Sequence, residues 1–223
     1  MKANAIKDAC GKLILGILLT ALLVFLPAGT LRFPGGWRLM AVLFVPMLAV
    51  GLVLAAKRPD LLRQRLKQKE TRMEQSLVVK LSGGMFIAGF VLAGLDFRFG
   101  WSHLPEWSSY GAAASLLVGY LLYAEVLRET PWLSRTVEVQ AEQTVVDTGL
   151  YAIVRHPMYS ATLLLFLSMP LILGSLLSFA VFLLYPFLIA KRILGEEELL
   201  KQELAGYADY CQTVRWRLVP YIW

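Results

Sequence analysis

Residues able to do chemistry crowd into the last third of the chain. Tyr151-Ala-Ile-Val-Arg155-His156-Pro157-Met158-Tyr159 sets an Arg, the second of two His and two Tyr against an apolar run, and residues 161–190 then carry no charge. Pro suits a first helical turn, where its missing N–H has no partner in any case. A helix N-terminus offers free N–H groups and partial positive charge to a carboxylate or phosphate, and Arg155 and His156 add donors at that place. Two readings stand: an anionic or zwitterionic ligand held at a membrane mouth, or Arg155 as a positive anchor with His156 a hydrogen-bonded interface residue.

Past the apolar run comes Lys191-Arg192-Ile-Leu-Gly-Glu196-Glu197. Arg192 and Glu196 stand four apart on one helix face, where they suit an ion pair. Alternatively one carboxylate takes ribose hydroxyls or a cationic centre, while Arg192 holds a substrate carboxylate bidentately. Tyr207, Tyr210, Arg215, Trp216 and Arg217 follow, a mixture that suits either a lid or an interfacial anchor. Glu125, between Tyr120 and Tyr123, is either a cavity residue or the end of a span. His103 falls in a loop with no chemistry to assign.

The elements that position these groups are apolar. The 223 residues are 57% hydrophobic and 17% charged, against about 25% charged in soluble domains, which indicates an all-α polytopic membrane protein. A crossing takes about 20 apolar residues, and 13–28, 37–56, 77–95 and 111–127 qualify, with Lys80 snorkelling outward. The first, preceded by Lys2, Lys7 and Lys12, reads as a signal anchor or as a cleaved signal. Residues 161–190 would make a helix of about 45 Å, beyond a hydrocarbon core of about 30 Å, and Pro170 and Gly174 stand mid-run. A short hairpin, 157–173 and then 175–192, resolves this and gives about six transmembrane helices; one tilted, kinked helix is the alternative. The chain divides into N-terminal helices (1–130) and a catalytic region of loop, hairpin and helical tail (131–223). From Glu196 onward Leu200, Leu204, Tyr207 and Cys211 share a helical period, giving one apolar face opposite Lys201 and Asp209.

Between Lys57 and Lys80 the sequence holds eight Lys/Arg against three acids, and 128–155 adds more, while 30–36 and 96–110 are poor in Lys/Arg. The positive-inside rule therefore puts both termini, the two basic loops and the working end in the cytosol. The net charge of +6 lies beside apolar runs and excludes a nucleic-acid face. Cys10 and Cys211 have no metal-ligand spacing, so no metal is expected. No GxGxxG after a strand, P-loop, HExxH or GxSxG occurs, which excludes a soluble Rossmann-type domain.

Taken in order, Ser134-Arg135-Thr136-Val137, Gln140, Gln143-Thr144-Val145-Val146, Thr148-Gly149-Leu150-Tyr151, Arg155-His156-Pro157-Met158-Tyr159, Arg192 with Glu196-Glu197, Gly206, Tyr207, Tyr210, Arg217 and Pro220 resemble the isoprenylcysteine carboxyl methyltransferase family. These are integral membrane S-adenosylmethionine-dependent enzymes related to the phospholipid N-methyltransferases. The resemblance covers about 134–220; Leu150 stands where many relatives have Pro, and Gln143 where eukaryotic members have His. It implies that S-adenosylmethionine is cradled by Gln140, Gln143, Thr144, Val145, Val146, Tyr151, His156, Pro157, Met158, Tyr159, Glu196 and Glu197. It also implies that Arg192 faces a lipid-like or prenylated methyl acceptor with Tyr207 and Tyr210, Arg192 and Glu196 being the catalytic residues. A sterol-type membrane reductase using NADPH, with Arg215 and Arg217 for its 2′-phosphate, is a rival reading. A small transporter or assembly factor is another.

Overall fold

The computed structural model describes residues 2–66, 73–133 and 138–223. The quoted segment 134–137 and part of the first basic stretch, 67–72, lie outside the described residues. Among those described the regular secondary structure is helical, with no strand. Helices α1 (Lys2–Ala28), α2 (Pro34–Lys57), α4 (Met73–Phe99) and α5 (Glu106–Glu129) contain the four expected spans, each longer than its apolar core. The excess includes flanking charged residues such as Lys57 and Arg128, which stay helical beyond the apolar stretch. Pro34 opens α2 at its first turn, as its locked φ favours.

The apolar run after His156 is a hairpin, as its length requires. Helix α6 (Pro157–Ile172) passes through Pro170 in its last turn and stops at Gly174, whose φ of +75° reverses the chain. The return path is two pieces, α7 (Leu176–Phe182) and α8 (Tyr185–Glu203), broken where Pro186 enters the first turn of α8. Among the described residues five segments are long and apolar enough to cross a membrane, α7 and α8 counting together. Helix α6 has 16 residues, about 24 Å, and falls short of that length. It nevertheless reaches the far end of the bundle, where Ser109 Oγ donates to Ile172 O (2.6 Å) and Ser175 Oγ to the buried Asp96 carboxylate (2.5 Å).

Two features depart from expectation. A short amphipathic helix, α3 (Pro59–Leu66), follows α2, and its Leu61 and Leu62 pack with Leu54, Val126, Leu127 and Leu133. The tail is also not one helix. Gly206, at φ +82°, breaks it, and α9 (Tyr207–Thr213) turns back so that Leu204, Tyr207, Tyr210 and Val214 form a small core of their own. Residues beyond α9 run along the entrance of α6: the Arg155 and His156 N–H groups donate to the Trp216 and Arg217 carbonyls, both at 2.9 Å. Glu125 pairs with Arg128 at the end of α5, the end-of-span reading.

Candidate active site

A pocket opens at the end of the bundle where α5 finishes, α6 begins and the second half of α8 passes. Its wall combines Gln143, Thr144, Val145, Val146 and Tyr151 from the loop with His156, Met158 and Tyr159 from the start of α6. Arg192, Glu196, Leu199 and Leu200 supply the α8 side, and Tyr207 and Tyr210 close it from α9. Thus segments up to 80 residues apart in sequence meet because the hairpin returns to where it started.

The polar centre is a relay across α6 and α8. Arg192 Nε donates to the Tyr159 hydroxyl (3.0 Å), which donates to Glu196 Oε2 (2.6 Å). Arg192 and Tyr159 are buried, so the phenol sits between a guanidinium and a carboxylate that it keeps apart. The i,i+4 spacing of Arg192 and Glu196 therefore produces no direct ion pair among the contacts described; Tyr159 intervenes. From α4, Gln75 reaches the same guanidinium, its Oε1 accepting from Arg192 Nη1 at 3.3 Å.

Glu197 does different work from its neighbour. Successive helical residues point about 100° apart, and Glu197 is 2% exposed and outside the pocket wall. Its carboxylate accepts from Arg155 Nε (2.7 Å) and Arg217 Nε (2.9 Å), with His156 Nε2 at 3.4 Å. Arg155 Nη1 also donates to the Val214 and Arg215 carbonyls. This cluster staples the tail to the start of α6. Glu197 itself does not line the pocket; its carboxylate is taken by Arg155 and Arg217. At the start of α6 the tail takes the Arg155 and His156 N–H groups, and the Tyr159 and Ser160 N–H groups return to His156 O.

The loop wall is held by local bonds. Both Glu129 oxygens accept from Leu150 N–H (2.9 and 3.0 Å), closing α5 onto the turn before Tyr151. Gly149 has φ +56°, and a Cβ there would overlap the Glu129 carboxylate, so the turn demands glycine. Gln140 spends its amide on Trp132 O (2.6 Å) and its own N–H on Gln143 Oε1 (2.9 Å), shaping the loop beside the pocket rather than lining it. Tyr210 donates to Tyr151 O (2.6 Å). Burial pushes the Tyr207 and Tyr210 phenols up, so both are neutral near pH 7.

Sequence reasoning thus brings Gln143, Thr144, Val145, Val146, Tyr151, His156, Met158, Tyr159, Arg192, Glu196, Tyr207 and Tyr210 to one wall. Gln140, Pro157 and Glu197 fall just outside it. It missed Gln75, whose only sequence signal is a polar side chain at the start of a span, and Glu129 with Trp132, which carry none. It also missed Leu199 and Leu200, legible only as an apolar face. Arg215 and Arg217 do not line the pocket: Arg217 is on Glu197 and Arg215 is exposed.

Several apolar helices of membrane length fit a multi-pass membrane protein, and the pocket described above opens at one end of the bundle. Residues 107–205, from the start of α5 to the end of α8, match the phospholipid methyltransferase family, which includes the isoprenylcysteine carboxyl methyltransferases. That match supports methyltransferase activity on a lipid-like acceptor, in a family whose members generally use S-adenosylmethionine. No curated protein matches the chain.

Proposed function

We propose that this protein moves a methyl group from S-adenosylmethionine to the carboxylate of a lipophilic acceptor of the isoprenylcysteine type. One observation carries the reading: a buried guanidinium, Arg192, and a carboxylate, Glu196, face the same pocket and are separated by Tyr159. The wall suits an adenosyl sulfonium. Val145, Val146, Leu199 and Leu200 offer apolar surface to a flat base, and Glu196 and Glu138 offer oxygens to ribose hydroxyls or a cationic centre. Tyr151, Met158 and the ring of His156 enclose the space between. Glu197 belongs to the staple that holds this wall in place, not to the cofactor.

When bound, the sulfonium supplies an electrophilic methyl carbon: an acceptor oxygen forms the new C–O bond as the C–S bond breaks, leaving a thioether and a methyl ester. A carboxylate is ionised at neutral pH, so no general base is required. Arg192 fixes the acceptor by charge-assisted hydrogen bonds, and alignment of this kind lowers a barrier by several kcal/mol. Tyr159, shared by both charged groups, sets the distance between the acceptor and cofactor ends. Lys12, Lys57 and Arg58 lie at the pocket's end of the bundle, which supports a cytosolic mouth, and residues 131–223 carry most of the site.

The test is calorimetric titration of detergent-purified protein with S-adenosylmethionine, S-adenosylhomocysteine and NADPH, followed by methyl transfer to N-acetyl-S-farnesylcysteine. The expected result is binding of the first two, weakened in Glu196→Ala, with Arg192→Ala sparing cofactor affinity but losing turnover. Binding of NADPH alone would replace this reading with a reductase.

A further inference from the structure

We propose that Gln75 is a positioning residue for the reaction: it fixes the plane of the Arg192 guanidinium, so that α4 completes the acceptor end of the site. This rests on the reading of Arg192 as the acceptor's partner, and it places a working residue outside the family-matched region 107–205.

Gln75 lies at the start of α4 and is 3% exposed. A buried primary amide is unfavourable unless both its ends are bonded. Both ends go to one residue: Nε2 donates to Arg192 O at 3.4 Å, and Oε1 accepts from Arg192 Nη1 at 3.3 Å. On its other edge the guanidinium donates from Nε to Tyr159. A guanidinium is rigid and planar, so contacts from α4 and α6 on separate nitrogens fix its plane. A second observation is independent of these bonds. A Cβ on Gly195, less than one turn beyond Arg192, would stand 2.5 Å from Gln75 Nε2. Glycine weakens a helix interior relative to alanine, and here it leaves the notch that the amide occupies.

A tie between α4 and α8 with no further role would lower stability and leave Arg192 where it is. The experiment therefore reads Arg192 as well as turnover, in Gln75→Leu, Gln75→Glu, Gly195→Ala and the double variant Gln75→Ala with Gly195→Ala. In arginine-¹⁵N-labelled protein the Arg192 Nε–H resonance is assigned by its loss in Arg192→Lys. Gln75→Leu is expected to shift that resonance and speed its exchange. It should also lower kcat/KM for N-acetyl-S-farnesylcysteine by roughly 10- to 100-fold, the value of a hydrogen bond to a charged group. S-adenosylhomocysteine affinity should hold. Gln75→Glu keeps an oxygen for the guanidinium and should restore most of the loss. Gly195→Ala should reproduce the defect alone yet add nothing once residue 75 is Ala. If the wild-type protein leaves the farnesyl probe unmethylated, the proposed acceptor is wrong and the resonance alone decides the role of Gln75. An unchanged resonance in Gln75→Leu, wild-type turnover in that variant, or a parallel fall in S-adenosylhomocysteine affinity would each overturn the inference.

Discussion

Replacing Glu197 by Ala should unfold this protein more readily than it should disarm the pocket. The carboxylate is 2.7 Å from Arg155 Nε with both side chains almost fully buried, at 6% and 3% exposure. Removing one partner of such a pair leaves a desolvated charge and costs about 3–5 kcal/mol. Arg217, whose side chain is 29% exposed, turns to water instead, and its share is discounted to at most about 1 kcal/mol. For a chain of this size each kcal/mol moves Tm by about 2–4 °C, so the expected fall is on the order of 10 °C. Glu197→Gln keeps an oxygen for Arg155 and should lose less than half of that. The assay is thermal unfolding in detergent, paired with S-adenosylmethionine titration well below either transition. Glu196→Ala in the same series should show the opposite balance, with a small Tm change and a large affinity loss. Wild-type Tm in Glu197→Ala together with abolished binding would refute the staple and return Glu197 to the cofactor.

Gly149→Ala should cost about 1–3 kcal/mol through its left-handed φ and the collision with Glu129, and should weaken cofactor binding because Tyr151 follows the turn; unfolding and titration check both. Asp96→Ala, at the opposite end of the bundle, strips the acceptor from Ser102 and Ser175 and should cost roughly 1–3 kcal/mol while leaving cofactor affinity unchanged. Burial pushes the Cys211 thiol up, so its alkylation near pH 7 should be slow and should accelerate only in alkaline solution; fast labelling of Cys211 in the folded protein would contradict its packing beneath Tyr207 and Tyr210.

How much of this was legible depended on how local the cause was. The four long spans and the hairpin follow from apolar length, Pro170 and Gly174, each of which acts within a turn or two. Helix α3 was missed because its eight residues carry charge and only two buried leucines, a signal that exists only once α5 is beside it. The tail's helical period was present, but Gly206 overrode it. The Arg192-Glu196 spacing was legible, whereas the phenol between them was not, because Tyr159 lies 33 residues earlier on another helix.

The sequence by itself determined that the chain is helical with several apolar segments of membrane length, because hydrocarbon length and charge placement are read residue by residue. Only the tertiary structure decided between Glu196 and Glu197. Adjacent on one helix, they are chemically identical, and what packs on each side gives one to the pocket and the other to Arg155 and Arg217. It alone brought Gln75 to Arg192 across 117 residues of sequence, since burial in a bundle pairs polar groups by position in space rather than by separation along the chain.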